Sequence, residues 1–211
     1  GGNDPMIVLG DADLDRAAGA AAWGGCLMTG QVCMSVERVY VEGSVAAEFT
    51  RKLEAELRTL RHGPAVAQTD ADLGPFIGPR QIEIVERHLA DARAKGARVL
   101  VGGARTESAA GAYFPPTLVV DVDHRMDIMR AETFGPVIPV QVVRDADEAV
   151  ALANDCEHGL SASVWTRDLP RGLAVAERIE SGSVCINECV LVAAVSALPF
   201  GGLKQSGVGT R

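Results

Sequence analysis

A surplus of basic side chains is the first thing this sequence lacks. Its 20 Lys and Arg face 28 Asp and Glu, for a formal net charge of −8 at pH 7. Phosphate backbones are bound through clustered cations, so nucleic acid is excluded as a partner. An anionic membrane surface is disfavoured by the same sign. Cysteine is scarce too: the five at 26, 33, 156, 185 and 189 are odd in number and lack disulfide-framework spacing. That usage predicts a reducing, cytoplasmic setting. The opening Gly1-Gly2-Asn3-Asp4-Pro5 has neither the basic stretch nor the apolar run of a secretion signal. It has no initiator Met either, from which we expect a fragment or a processed chain.

Several short motifs are also missing. No G-x-G-x-x-G joins a strand to a helix, so the dinucleotide fingerprint is absent. Gly201-Gly202-Leu203-Lys204-Gln205-Ser206-Gly207 is glycine-rich, yet its lysine falls outside the order of a phosphate loop. His62, His88, His124 and His158 are scattered without H-x-x-x-H or C-x-x-C partners, so no metal is expected. A serine nucleophile would need a G-x-S-x-G elbow, which does not occur.

What is present is a core. Hydrophobic residues make up 47% and charged residues 23%, the balance of a folded domain rather than a disordered chain. Apolar periodicity predicts helices over Val45–Leu60, with Phe49, Leu53, Leu57 and Leu60 on one face, and over Gln81–Lys95, stopped by Gly96. A third helix starts after Asp11 and Asp13, both candidate N-caps. Others run from Asp145 to near Asn154 and over Leu169–Ile179. Between them lie β-rich runs at Met6–Leu9, Arg38–Val41, Val99–Val101, Thr117–Val120, Val137–Val143, Ala162–Thr166 and Val184–Asn187. Strands alternating with helices, several of them continuously apolar, predict an α/β fold: one three-layer α/β/α domain on a mostly parallel twisted sheet. Ligands of such sheets are expected outside the carboxyl ends of the strands.

Two charge-free windows, Ala17–Val36 of twenty residues and Cys189–Leu203 of fifteen, should lie deep or line a pocket. The first has too many glycines and alanines to be a transmembrane helix. It contains Gly30-Gln31-Val32-Cys33-Met34-Ser35, where a turn between helix and strand could present a thiol shielded from water. Read from composition alone, the better account of Cys33 is a buried, inert cysteine. Glu132-Thr133-Phe134-Gly135-Pro136 sets a carboxylate beside an aromatic ring. That acid could accept ribose hydroxyls or simply be a solvated turn residue. Asn187 could orient a loop or close a strand. Phe200 could wall a pocket or pack in the core.

In combination these segments resemble the aldehyde dehydrogenase superfamily. Gly30-Gln31-Val32-Cys33 is similar to its G-Q-x-C nucleophile motif, and Glu132 to Pro136 to its E-x-F-G-P cofactor motif. Asn154 with Gly159-Leu160-Ser161-Ala162, then Gly182 to Asn187, then Pro199 to Gly207, occur in the same order. The resemblance spans almost the whole chain. It implies that Cys33 attacks an aldehyde carbonyl, with its own backbone N–H donating to the oxyanion. It implies NAD or NADP as cofactor, with Glu132 on the nicotinamide ribose and Phe134 near the nicotinamide. Val32, Met34 and Phe200 would border the aldehyde tunnel.

By the same resemblance, residues 1–211 are the catalytic domain of a larger homo-oligomeric enzyme. The family's general-base glutamate lies in E-L-G-G, just before Gly1-Gly2. Its dinucleotide-binding half lies upstream, and its oligomerisation tail downstream. Two alternatives stand beside aldehyde oxidation to an acid. One is an acylating, coenzyme A-dependent relative, and the other a non-catalytic module of the same fold. The loop Glu188–Leu198 has no arginine and is largely apolar, which favours an aliphatic or aromatic aldehyde over a dicarboxylic semialdehyde.

Overall fold

In the computed structural model, which describes residues 1–64, 70–108 and 111–208, side chains alternate strictly along the first strand, β1 (Asp4–Val8). Met6 and Val8 pack into one apolar cluster, Ile7 and the adjoining Leu9 into another. A strand buried on both faces needs a layer on each side, and the helices supply them. Helices α1 (Leu14–Cys26) and α2 (Ala46–Thr59) cover the Met6 face. Helices α3 (Pro79–Ala94), α4 (Ala146–Asn154) and α5 (Leu169–Ala176) cover the Ile7 face. The fold is therefore the expected three-layer α/β/α arrangement.

The central sheet uses β1, β2 (Val36–Glu42), β3 (Arg98–Val101), β6 (Thr117–Val120), β7 (Val137–Val143), β9 (Ser161–Trp165) and β10 (Ser183–Ile186). Their order is β10-β9-β1-β2-β7-β6-β3, every neighbouring pair parallel except β6 with the edge strand β3. Two small antiparallel pairs stand apart, β4 (Thr106–Ser108) with β5 (Gly111–Tyr113), and β8 (His158–Gly159) with β11 (Leu203–Lys204). Strands β6 and β7 have the bounds that the sequence predicts. The last predicted helix is shorter: α5 ends at Ala176, and Arg178 and Ile179 tighten into i→i−3 turns. Of the two candidate caps on α1, Asp13 accepts the Arg16 N–H at 3.3 Å. Asp11 instead takes the Thr166 hydroxyl and the Arg167 and Asp168 N–H groups, ahead of α5.

The ladder between β1 and β2 has one irregularity, at the start of β2. Asp4 of β1 pairs with Val36 and Pro5 with Arg38, so Glu37 is an extra residue that the ladder skips. Such a bulge re-aims side chains. Next to it, Arg38 is fully buried. Its guanidinium donates to the Asn3 carbonyl at 2.8 Å, the Tyr40 hydroxyl at 3.0 Å, and the Leu152 and Ala153 carbonyls at 3.3 and 3.2 Å. One side chain thereby ties the segment before β1 to the end of α4. Arg38→Leu should destabilise the chain by about 3–5 kcal/mol, because it strands buried acceptors. Urea unfolding measures this; a loss under about 1 kcal/mol would show that the network carries little stability.

Candidate active site

The predicted site residues lie on loops that enter three adjacent strands. Gly1–Asn3 lead into β1, Cys33 into β2, and Glu132–Pro136 into β7, and these strands are neighbours in the sheet. The site residues thus gather at the amino edge of the parallel strands. This corrects the expectation that they sit beyond the carboxyl ends. The physical reason is close packing of these three entry loops. Gly2 donates its N–H to Glu132 Oε1 at 2.8 Å, while a Cβ on Gly2 would stand 2.2 Å from the Cys33 carbonyl oxygen. Only glycine fits between the two.

Cys33 is a central residue of a tight turn closed by the Ser35 N–H on the Val32 carbonyl at 2.9 Å. Upstream, Met28, Thr29 and Gly30 all have positive φ, a left-handed run that swings the chain off the end of α1. At Gly30 (φ 69°) a Cβ would fall 2.2 Å from the Gly135 carbonyl, so the nucleophile loop lies directly on the Glu132 loop. Gln31 fastens the turn from outside, accepting the Ile77 N–H at 2.9 Å. The thiol of Cys33 is exposed. Among the described residues, the shielding expected from its charge-free surroundings is not found.

Glu132 and Phe134 are half-buried, and Phe134 has φ 51°. Between them Thr133 is held on three sides. Its N–H donates to Glu37 Oε2 at 2.6 Å, its carbonyl accepts from Gln81 at 2.6 Å, and its hydroxyl lies 3.1 Å from His88 Nδ1. The Phe134 N–H donates to Glu37 Oε1 at 2.8 Å. Among the described residues Glu132 Oε2 takes no hydrogen bond, which leaves an acceptor free for a hydroxyl. A free carboxylate acceptor of this kind suits a sugar hydroxyl, which would donate to it.

Val32, Met34 and Phe200 come together in one apolar cluster. Met34 is buried with Leu160 and Val192, and Val32, Val190 and Phe200 pack against them. The loop after β10 runs back from the carboxyl edge to reach this wall. Much of its charge-free window is nevertheless exposed: Leu191 and residues 194–199 face outward, while Cys189 and Val192 are buried and Val190 and Phe200 pack beside them. The window is therefore not a deep segment; its inward side chains line the Met34 cluster. Asn187 stands at the opposite edge from Cys33, its side chain paired with the Thr166 backbone at 2.8 and 3.0 Å. It closes the end of β9 and is not brought to the nucleophile.

Two buried acids beside the site went unmarked by motif. Burial pushes the Asp4 carboxyl up to about 7 and the Glu37 carboxyl up to about 8. The Ser161 hydroxyl donates to Asp4, whose Oδ1 has no partner, and the backbone N–H groups of Thr133 and Phe134 oppose the shift at Glu37. The available signal was a charged pair, Glu37-Arg38, directly before the Val39–Val41 run of the strand; reading that strand from Arg38 leaves Glu37 out. Burial drives the thiols of Cys26 and Cys189 up to about 12. Among the described residues no group of three or more His, Cys, Asp or Glu could hold a metal ion. No helix there is long and apolar enough to cross a membrane.

The aldehyde dehydrogenase family model matches residues 1–211, and the chain belongs to that family. It is 42% identical over 212 residues to a Mycobacterium ulcerans protein named putative succinate-semialdehyde dehydrogenase (NADP(+)) 2, covering 100% of this chain and 41% of that protein. It is 43% identical to a Methylomonas protein named 4,4'-diapolycopene aldehyde oxidase, covering 99% of this chain and 38% of that one. Betaine aldehyde dehydrogenase from Staphylococcus aureus, solved in complex with NAD+, superposes with a TM-score of 0.93 at 33% identity, over 100% of this chain and 42% of that one. The chain thus spans about two fifths of the length of these relatives.

Exposure should set thiol reactivity. Cys33 is expected to react with iodoacetamide at least ~100-fold faster than Cys26 and Cys189 at neutral pH, as read by peptide mass mapping. Equal rates would remove its distinction. The raised carboxyls also predict a pH dependence. Asp4 and Glu37 stay protonated in the folded chain between their ordinary values, 3.8 and 4.5, and about 7 and 8. The folded state binds more protons across that window, so their contribution to stability falls as pH rises through it. The urea midpoint should drop from pH 5 to pH 8, less steeply in Asp4→Asn; an unchanged slope in that variant would count against Asp4 as a source.

Proposed function

We propose that this chain is the catalytic part of an NAD(P)-dependent aldehyde dehydrogenase that oxidises an aldehyde to a carboxylic acid. One observation carries the reading: Gly2 joins the two loops, its N–H on Glu132 and its Cα against the carbonyl of an exposed Cys33. The Cys33 thiolate adds to the aldehyde carbonyl carbon, forming a thiohemiacetal whose oxyanion the Cys33 N–H receives. Glu132 accepts the ribose hydroxyls and Phe134 packs beside the nicotinamide. Bound NAD or NADP supplies the hydride acceptor for conversion of the thiohemiacetal to a thioester, which water then releases as the acid. The full-length protein adds a dinucleotide-binding domain and the general base, in keeping with the relatives' greater length, and works as a homo-oligomer. Five free cysteines support a reducing, cytoplasmic location.

The substrate we propose is an apolar aldehyde. The wall of Met34, Leu160, Val192, Val32 and Phe200 has no cation, and the loop beyond Asn187 opens with an acid, Glu188. A substrate carboxylate would meet repulsion there. In the full-length protein, Cys33→Ala should lower turnover by about 10^4-fold or more. Benzaldehyde should exceed succinate semialdehyde in kcat/KM by about tenfold or more, a difference of ~1.4 kcal/mol. The isolated 211 residues should give no steady cofactor reduction. Turnover that survives Cys33→Ala would sink the nucleophile, and a preference for the semialdehyde would sink the apolar substrate.

A further inference from the structure

Glu37 occupies a place in this site that its type and position do not explain as core packing. It is a carboxyl side chain only 2% exposed, four residues after the nucleophile, on the residue that the β1–β2 ladder skips. A regular strand would turn that position into a sheet face. The bulge turns it instead towards the neighbouring entry loop, where its two oxygens accept two consecutive backbone N–H groups, Thr133 at 2.6 Å and Phe134 at 2.8 Å. Those N–H groups lead directly into the one residue of the loop with a left-handed backbone, Phe134 at φ 51°. A bulky non-glycine residue holds that conformation only when its surroundings impose it.

Other contacts hold the loop on either side of Phe134 without touching its amide: the Gly2 N–H on Glu132 at 2.8 Å and the Thr117 N–H on the Pro136 carbonyl at 2.8 Å. Gln81 and His88 grip Thr133 through its carbonyl and hydroxyl, but neither reaches the Phe134 amide. Gly30 against Gly135 limits how far the loop can move towards the nucleophile without fixing its rotation. Both Phe134 N–H and Thr133 N–H would be stranded in the interior if Glu37 were removed, at a cost that an unmade buried bond imposes in full. The bulge, the two paired amides and the left-handed residue describe one device.

We propose that Glu37 is a positioning residue for the cofactor, setting the direction in which Glu132 and Phe134 face it, while Cys33 is left unaffected. This rests on the reading of Glu132 and Phe134 as the cofactor-facing pair. Glutamine at 37 keeps the size but replaces an oxygen, which can accept whether or not the carboxyl carries a proton, with an NH2 that cannot accept and must oppose an N–H group. Glu37→Gln in the full-length protein should raise the NAD or NADP dissociation constant by about tenfold, measured by titration calorimetry without substrate. Iodoacetamide labelling of Cys33 should stay within about twofold of the unaltered protein, a readout that general loosening of the site would move. Glu132→Gln serves as the reference for loss of the ribose contact.

An unchanged dissociation constant in Glu37→Gln, with Glu132→Gln weakened, overturns the role of Glu37 and leaves the cofactor reading standing. An unaltered protein that binds neither dinucleotide, or binds as well after Glu132→Gln, overturns that reading and this inference with it. A matching change in Cys33 labelling makes Glu37 a structural residue only and overturns the proposal. Should Glu37→Gln not fold, amide exchange in the unaltered protein decides. Thr133 and Phe134 protected as strongly as the β2 amides support the clamp, and fast exchange of both overturns it.

Discussion

Polar side chains taken out of water must find partners, and in this chain the start of β2 makes that demand twice in succession. Glu37 and Arg38 are both buried at the centre of a seven-stranded sheet. Neither forms an ion pair among the described residues, although the Arg38 charge acts on the nearby Asp4; each is met mainly by backbone. Arg38 draws in carbonyls from Asn3, Leu152 and Ala153, and Glu37 draws in the amides of Thr133 and Phe134. Segments far apart in the chain are thereby pulled to one strand, because an unmatched group there costs more than the entropy of ordering a loop to meet it. The bulge at Glu37 lets the two neighbours serve different loops.

Close approach of backbone does the rest. The entry loops of β1, β2 and β7 are near enough that two of their contacts exclude any side chain, at Gly2 against Cys33 and at Gly30 against Gly135. Parallel pairing then holds the strands beneath in fixed register, Val39 opposite Val140 and Ile7 opposite Tyr40. Nucleophile turn, amino segment and Glu132 loop form one rigid block at the edge of the sheet. A site on such a scaffold needs little reorganisation to present its groups.

Local patterning was enough to read most of this fold. Continuous apolar runs gave β6 and β7 their bounds, and the 3.6-residue spacing of Phe49, Leu53 and Leu57 gave α2 its buried face. The small pairs β4–β5 and β8–β11 were not legible, since two or three residues carry no period and β8 meets β11 only through distant packing. Within the site, Cys33, Glu132 and Phe134 stand in motifs whose order along the chain marks them. Glu37, Gln81 and His88 do not, because their meaning lies in contacts with Thr133 and Phe134, between 45 and 97 residues away. The edge of the sheet was also misplaced. Strand polarity places a ligand at the carboxyl edge only when the loops leaving strands carry the groups, and here the loops entering them do.

That polarity bears on the chemistry. Loops entering adjacent parallel strands bring backbone N–H groups together, and their acceptors can be traced one by one. The Gly2 N–H goes to Glu132, the Thr133 and Phe134 N–H groups to Glu37, and the Ser35 N–H to Val32. The Cys33 N–H takes no acceptor among the described residues. It belongs to an exposed turn, so water can satisfy it in the absence of substrate and it incurs no burial penalty. A donor left over beside a thiol can bind negative charge that develops on an atom bonded to that sulfur's new carbon. The Gly2, Ser35, Thr133 and Phe134 amides are already committed, so an oxyanion developing at Cys33 would find this one still free to donate.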